Sequence, residues 1–269
     1  LLYLDRDMLH VRAPSLSNTA ELKDKREEGD GSRALREFFE AALEYDERVR
    51  RAQTAGVNRP RHDPRLEALA PYAKGEKKVA LHAANAQTIL NALRLIETLE
   101  LDAVLFGAKE AWKVVDQIAA SGVPVVLGPV LSIPSSRYDP YDACYANAAV
   151  LHRAGVRFAI GAGNDDNPRN LIFHAGFAAA FGLPRSVAVD AITVMPAFIL
   201  GREVFLNHLG SIDPNKVADL VLTDGDLLEP TTRVERVWID GREASLESRH
   251  TELYDRYRER MLAGEGRPR

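Results

Sequence analysis

Residues 156–171 read Val156-Arg-Phe-Ala-Ile-Gly-Ala-Gly-Asn-Asp-Asp-Asn-Pro-Arg-Asn-Leu171, and this stretch decides how the fold is interpreted. It predicts a short apolar strand from Arg157 to Ile160, two glycines, an acidic loop, and a helix that Pro168 opens. In α/β proteins, ligands and catalytic groups collect in the loops that follow the carboxyl ends of parallel strands. Asp165 and Asp166 are therefore the first candidates for site residues.

The same pattern of a strand followed by a helix occurs three times before this stretch. The predicted strands are residues 78–82, 103–106 and 123–128; the helices that follow them are residues 86–99, residues 109–120 and one that reaches His152. Short apolar strands that alternate with amphipathic helices are typical of a parallel sheet covered by helices. A barrel and a doubly wound sheet both satisfy this pattern.

The flanking segments have other patterns. The sequence predicts four further helices: from Ser32 to Gly56, over residues 63–72, over residues 184–200 as one helix, and over residues 246–262. It also predicts a small β unit with strands at residues 218–223 and 233–239. The segment before Ser32 is rich in charge and indicates a solvated loop without chemistry. His10 lies there, in a polar segment.

The composition is that of an ordinary globular protein. The chain has 269 residues, 46% of them hydrophobic and 28% charged, with a formal net charge of -4. No basic patch is dense enough to bind nucleic acid, and no apolar run reaches the length of a membrane span. The single cysteine, Cys144, excludes an internal disulfide framework and favours the cytoplasm, although a secreted or periplasmic location stays open because the chain starts at Leu1.

Two kinds of site compete for the strand ends. Gly161 and Gly163 precede a helix as in a dinucleotide fingerprint, but the match is weak because Asp166 stands at the third glycine position. His82 ends the first of the four strands and would share one edge of the sheet with Asp165. Imidazole and carboxylate are suitable ligands for zinc or iron in sites that keep a position open for water. A satisfied polar residue at a strand end is the simpler alternative for His82.

The C-terminal part of the chain resembles a known family. The run Gly210-Ser-Ile-Asp-Pro-Asn-Lys-Val-Ala-Asp-Leu-Val-Leu222, then Val237-Trp-Ile-Asp-Gly241, and before them Ala191-Ile-Thr-Val-Met-Pro-Ala197, resemble the metal-dependent amidohydrolase superfamily, especially its imidazolonepropionase-like members. The resemblance covers residues 76 to 245. It implies an α/β chain that is the C-terminal half of a (β/α)8 TIM-type barrel plus part of a small β-sandwich domain.

The resemblance also implies a domain organisation. Residues 1–75 would be a helical segment from the middle of the barrel, residues 76–203 its last four βα units, residues 204–246 the C-terminal part of the β-sandwich, and residues 247–269 a charged helical tail. Because a half barrel exposes strand edges, we expect the chain expressed alone to aggregate or to pair with another chain, which allows a homo-oligomer.

The activity that the resemblance implies is hydrolysis of C–N bonds in non-peptide linear or cyclic amides of a small-molecule substrate. His82 and Asp165 would hold a divalent metal, zinc, with Asp165 also serving as the catalytic base, and Asn164, Asp166 and Arg137 would contact the substrate. Phe106 stands where the family has a second metal-binding histidine. The competing hypothesis is therefore a non-catalytic scaffold or small-molecule binder whose metal site is degraded or lost.

Overall fold

A computed structural model describes residues 8–13, 30–56, 58–163, 168–200 and 208–265 of the chain. These residues divide into two compact units, Leu1–Ser211 and Ile212–Arg269. Within the described residues, no helix combines the length and the apolar character that a membrane span requires.

The first unit is built on a five-stranded parallel sheet. Its strands are β1 Leu9–Arg12, β2 Val79–Ala83, β3 Ala103–Gly107, β4 Val125–Leu127 and β5 Phe158–Ile160. Each strand pairs in parallel with the next one along the chain. A doubly wound sheet reverses its strand order at a switch point, so this sequential order favours the winding of a barrel.

The strands predicted from the sequence are confirmed as β2 to β5, with their ends shifted by one or two residues. The sequence does not predict β1, which lies in the segment interpreted as a solvated loop. Its four residues pair with β2, more than sixty residues further along the chain, with Leu9 opposite Val79 and Arg12 opposite His82. A strand this short is stabilised by its partner in the sheet rather than by its own sequence.

Eight helices of the first unit are described. They are α1 Asp30–Ala55, α2 Pro64–Ala73, α3 Ala86–Leu99, α4 Val115–Ser121, α5 Ala143–Arg153, α6 Leu171–Ala180, α7 Arg185–Asp190 and α8 Val194–Leu200. The single helix predicted over residues 184–200 is wrong, because α7 and α8 are separated by a turn. In that turn the backbone N–H groups of Ile192 and Thr193 donate to carbonyls three residues earlier, at 3.1 Å and 3.2 Å, so the α-helical bonding pattern is interrupted.

The starts of α2 and α3 follow from local sequence. The carboxylate of Asp63 accepts from the backbone N–H of Arg65, and Pro64 occupies the first helical position, where its missing N–H costs nothing. A hydrogen bond from the side chain of Arg65 holds the pKa of Asp63 below its usual value. In α3, Asn85 and Thr88 cap each other reciprocally, and the helix therefore begins directly after β2.

Alternation along the strands places two sets of residues on opposite faces of the sheet. On one face, Leu81, Leu105 and Val125 are fully buried. On the other, a core cluster joins β2 to β5 and contains Met8, Ala80, Val104, Val126, Ala159 and Ile199. Because side chains repeat every second residue, this second face continues at the carboxyl end of the sheet into His82 and Phe106.

The second unit contains a three-stranded antiparallel sheet and a helix. Its elements are β6 Leu220–Thr223, β7 Val234–Ile239, β8 Arg242–Ala244 and α9 Arg249–Glu265. The two predicted strands are confirmed as β6 and β7, and β8 is additional. Asp240 and Gly241 link β7 to β8 with positive φ angles of 50° and 72°, the backbone that an Asp-Gly hairpin turn adopts.

Candidate functional site

His82 lies at the carboxyl end of β2, beside a second histidine from β1. The Nδ1 atom of His10 lies 2.9 Å from the Nε2 atom of His82, and the ring centroids are 5.2 Å apart. At this distance one nitrogen donates a proton and the other accepts it, so each imidazole fixes the tautomer of the other. The sequence does not predict this pair, because the strand that carries His10 is not predicted.

The surroundings of His82 favour its neutral form. Burial against the surrounding protein lowers the pKa of His82, although part of the ring is open to solvent, and the nearby His10 and Arg12 lower it further. A neutral imidazole has a free lone pair, which can bind a metal or accept a proton. His82 is therefore chemically competent in the role predicted from the sequence.

Phe106 is the neighbour of His82 on the other side, on β3. The two residues lie opposite each other in the pairing of β2 with β3, with ring centroids 5.3 Å apart. The Phe106 ring also meets the ring of His10 edge to face at 5.8 Å. These rings form one continuous aromatic wall, and on the β3 side it carries no atom that could bind a metal or donate a proton.

An open cavity of about 630 Å³ adjoins the two histidines. Its described lining includes His10, Arg12, His82, Asn85, Thr88 and Phe106. Arg12 lies opposite His82 in the pairing of β1 with β2, and its side chain is exposed. A volume in this range is typical of a small-molecule site.

A buried asparagine holds the turn that follows β3 beside this cavity. Gly107 and Ala108 both have positive φ angles, 93° and 40°, an unfavourable conformation for alanine. The side-chain amide of Asn147 donates to the carbonyls of Ala108 and Lys109 at 3.0 Å and 3.2 Å, and its oxygen accepts from the backbone N–H of Trp112 at 3.0 Å. Asn147 thus satisfies three polar groups of the turn at once.

Replacing Asn147 by alanine is expected to lower the free energy of unfolding by about 2–4 kcal/mol, because it leaves buried backbone groups without partners. Denaturant unfolding followed by circular dichroism measures the change. Asn58→Ala is the matched control, since Asn58 is exposed and its loss is expected to cost less than about 0.5 kcal/mol. Equal stability of the two variants would contradict the role of Asn147.

Ion pairs and a hydrogen bond of charged side chains also stabilise the turn after β3. The Glu110 carboxylate accepts from the backbone N–H of Ala86 at 3.0 Å and pairs with Lys113 at 3.3 Å. The ammonium of Lys113 also lies 2.9 Å from Asp139, and this contact lowers the pKa of Asp139. Asp139 is thus an ionic anchor for the loop after β4.

The other predicted site residues are not found in the described lining of the cavity. Arg137 lies in the loop after β4, where its guanidinium stacks on the ring of Tyr138 at 4.7 Å and donates to the Tyr138 hydroxyl at 2.5 Å. It is not among the described residues that line the cavity. Asn164, Asp165 and Asp166 lie outside the described residues.

The buried side chains of His174 and Cys144 lie in environments that indicate a structural role. The Nδ1 atom of His174 in α6 accepts from the backbone N–H of Leu131 at 3.1 Å, and burial lowers its pKa, so its imidazole is neutral. Cys144 in α5 is buried, and burial raises the pKa of its thiol. The thiol is therefore a poor nucleophile at neutral pH.

The site can be compared with the needs of a divalent metal. Among the residues that the structure describes, no group of three or more histidine, cysteine, aspartate or glutamate side chains could hold a metal ion. His82 fits one ligand position, because its Nε2 faces His10 and its Nδ1 is left as the other ring nitrogen. Histidines that bind metals commonly use the second ring nitrogen for such an orienting hydrogen bond. The remaining ligands would have to come from outside the described ranges, where Asp165 lies.

Comparison with known proteins gives structural matches only. No family model matches the sequence, and no curated protein matches it. The solved structure of an amidohydrolase from Thermotoga maritima MSB8 matches with a TM-score of 0.70 and 28% identity, over 80% of this chain and 55% of that chain. A second amidohydrolase matches with a TM-score of 0.50 and 21% identity, over 67% of this chain and 48% of that chain.

An ochratoxinase from A. niger also matches, with a TM-score of 0.47 and 18% identity over 68% of this chain and 45% of that chain. The chain thus spans about half the length of these three solved structures. The match at 28% identity agrees with the sequential parallel sheet and with the sequence resemblance in the C-terminal third. The chain is therefore similar to the amidohydrolase superfamily, in the fold of its parallel sheet and in the sequence of its C-terminal third.

Proposed function

We propose that the chain is part of a hydrolase that cleaves C–N bonds of non-peptide amides, linear or cyclic, in small-molecule substrates. The observation that carries the proposal is the position of His82: a neutral imidazole at the carboxyl end of a parallel strand, oriented by His10 and open to a cavity of about 630 Å³. Barrel enzymes place their catalytic groups at this end of the strands. The likeness to the Thermotoga amidohydrolase supports a hydrolytic reaction.

In this proposal His82 would bind a divalent metal, zinc, through its Nδ1 atom. Asp165 would be a further ligand or the catalytic base, and Asn164, Asp166 and Arg137 would contact the substrate. A bound zinc polarises a carbonyl oxygen and lowers the pKa of water to near neutrality. His10 holds the orientation of His82 by accepting the proton of its Nε2 atom, and Phe106 shields one side of the cavity from water.

Metal content and amide hydrolysis, measured together on the same protein, test this proposal. Protein purified with zinc or manganese is expected to retain about one metal ion per chain and to hydrolyse members of a panel of N-acyl and cyclic amides. Chelation should abolish hydrolysis, because the nucleophilic water is lost, and added zinc should restore it. A folded protein that neither retains metal nor hydrolyses any amide would contradict the proposal.

A second candidate function is binding without catalysis. Two observations favour this function. Phe106, which has no metal-binding atom, lies beside His82. Among the described residues at this site, His10 and His82 are the two side chains that could bind a metal. A protein of this kind would bind small molecules in the same cavity while metal-free and would leave them unchanged. Thermal-shift measurements with the amide panel, made in the presence of a chelator, distinguish it from the hydrolase.

A further inference from the structure

We propose that the cavity beside β1 recognises a small organic carboxylate through the guanidinium of Arg12. The proposal rests on the proposed function only in treating this carboxylate as part of the substrate; the binding itself does not depend on hydrolysis. It would make the substrate an amide that also carries a carboxylate.

The first support is the charge of the cavity. Arg12 is the one residue of fixed charge among the described residues that line it, and His10 and His82 add two imidazoles. No aspartate or glutamate belongs to that described lining. An anion is therefore favoured in this part of the cavity. The Arg12 guanidinium that would bind it is positively charged at every physiological pH.

The second support is that Arg12 has no partner within the described part of the chain. It forms neither an ion pair nor a hydrogen bond there, whereas Arg33, Arg50 and Arg51 of α1 each pair with an acid one turn away. A guanidinium that projects beside a cavity without a carboxylate partner can give its full fork of N–H donors to a ligand. Carboxylates accept such a fork with two parallel hydrogen bonds.

The third support is that the side-chain oxygens of Asn85 and Thr88, two other polar residues of the lining, already have partners. Asn85 accepts from the backbone N–H of Thr88 at 2.9 Å, and the Thr88 hydroxyl donates to the Asn85 carbonyl at 2.9 Å. These groups cap α3 and do not compete for the ligand. Recognition of a charged group in the described lining thus depends chiefly on Arg12, with the neutral N–H groups of Asn85 and the imidazoles as weaker donors.

The aromatic wall defines the rest of the ligand. His10, His82 and Phe106 present ring faces and edges with centroids 5.2 to 5.8 Å apart, a surface suited to a flat or apolar body. One guanidinium balances one negative charge, so a carboxylate fits better than a dianionic phosphate. Because Arg12 lies opposite His82, the anchored carboxylate would be bound next to the group that we propose to act in hydrolysis.

Calorimetric titration of the metal-free chain tests the proposal with three probes: N-acetylphenylalanine, its neutral amide, and inorganic phosphate. The carboxylate is expected to bind at least about tenfold more tightly than the amide, since charge-assisted hydrogen bonds are lost with the charge. Equal binding of carboxylate and amide, tighter binding of phosphate, or no binding of any probe would overturn the proposal.

Variants of Arg12 test whether this residue is responsible for carboxylate binding. Arg12→Gln is expected to weaken carboxylate binding by about tenfold or more and to leave amide binding unchanged, and Arg12→Lys is expected to retain part of the affinity. Arg61→Gln is the matched control, because Arg61 is also exposed but does not line the cavity. If Arg12→Gln binds the carboxylate as tightly as the Arg61→Gln control does, Arg12 is not the recognition residue.

The outcomes separate this proposal from the proposed function. Carboxylate binding that depends on Arg12, in a protein that hydrolyses no amide with any metal, supports the anion site and overturns the hydrolase. Hydrolysis of carboxylate-bearing amides with a KM that Arg12→Gln leaves unchanged supports the hydrolase and overturns the anion site.

Discussion

Replacing His82 by alanine is expected to lower kcat/KM for amide hydrolysis by at least about a hundredfold, because it removes a ligand of the proposed metal rather than a residue that orients one. The alanine side chain has no lone pair for the metal. The hydrogen bond between the imidazoles of His10 and His82 is also lost. The bound metal should fall in parallel with the activity. Steady-state kinetics and elemental analysis of the same preparation measure both quantities.

His152→Ala is the control for this variant. His152 is an exposed histidine near the end of α5, and its loss is expected to change neither the metal content nor kcat/KM. Unchanged kinetics in the His82 variant would remove His82 from the mechanism. A His82 variant that keeps its metal but loses activity would assign His82 to proton transfer instead.

Replacing Phe106 by histidine is expected to raise the affinity for zinc by at least about tenfold, because a catalytic zinc site uses three protein ligands and the new imidazole would add one. Phe106 lies directly opposite His82 in the sheet, with the two rings already 5.3 Å apart. A histidine at this position is therefore expected to place its imidazole beside that of His82. Competition with a chromophoric chelator measures the affinity.

Phe38→His tests whether any additional histidine has the same effect. Phe38 is an exposed residue of α1, so a histidine there is expected to leave the zinc affinity of the cavity unchanged. An equal gain in the two variants would show that the added metal binds nonspecifically. No gain in the Phe106 variant would show that His82 does not hold metal on the side of β3.

The central strands were predictable from sequence because their signal is local. The residues of β2 and β3 are nearly all apolar, since strands covered on both faces must bury both sets of side chains. The helices between them carry an apolar face of period 3.6, and α3 was placed at its observed residues. The break between α7 and α8 lies in a turn whose backbone hydrogen bonds span three residues instead of four, which the hydrophobic pattern does not encode.

The candidate site was predictable only in part. His82 follows from its place at the end of an apolar strand, whereas His10 and Arg12 become part of the site through a pairing with β2 that no local pattern records. The available signal was the alternation of Leu9 and Val11, which are partly buried, with His10 and Arg12, which are exposed. Asn147 is a similar case, because its hydrogen bonds span more than thirty residues.

The burial of Cys144 has a practical consequence for spectroscopy. It is the only thiol in the sequence, and its raised pKa leaves little thiolate to react with a maleimide or a nitroxide reagent at neutral pH. A cysteine introduced on the surface would therefore carry the label alone, with the native residue left in place. Spin labels or fluorophores at the edge of β1 could then report ligand entry into the cavity without a cysteine-free background.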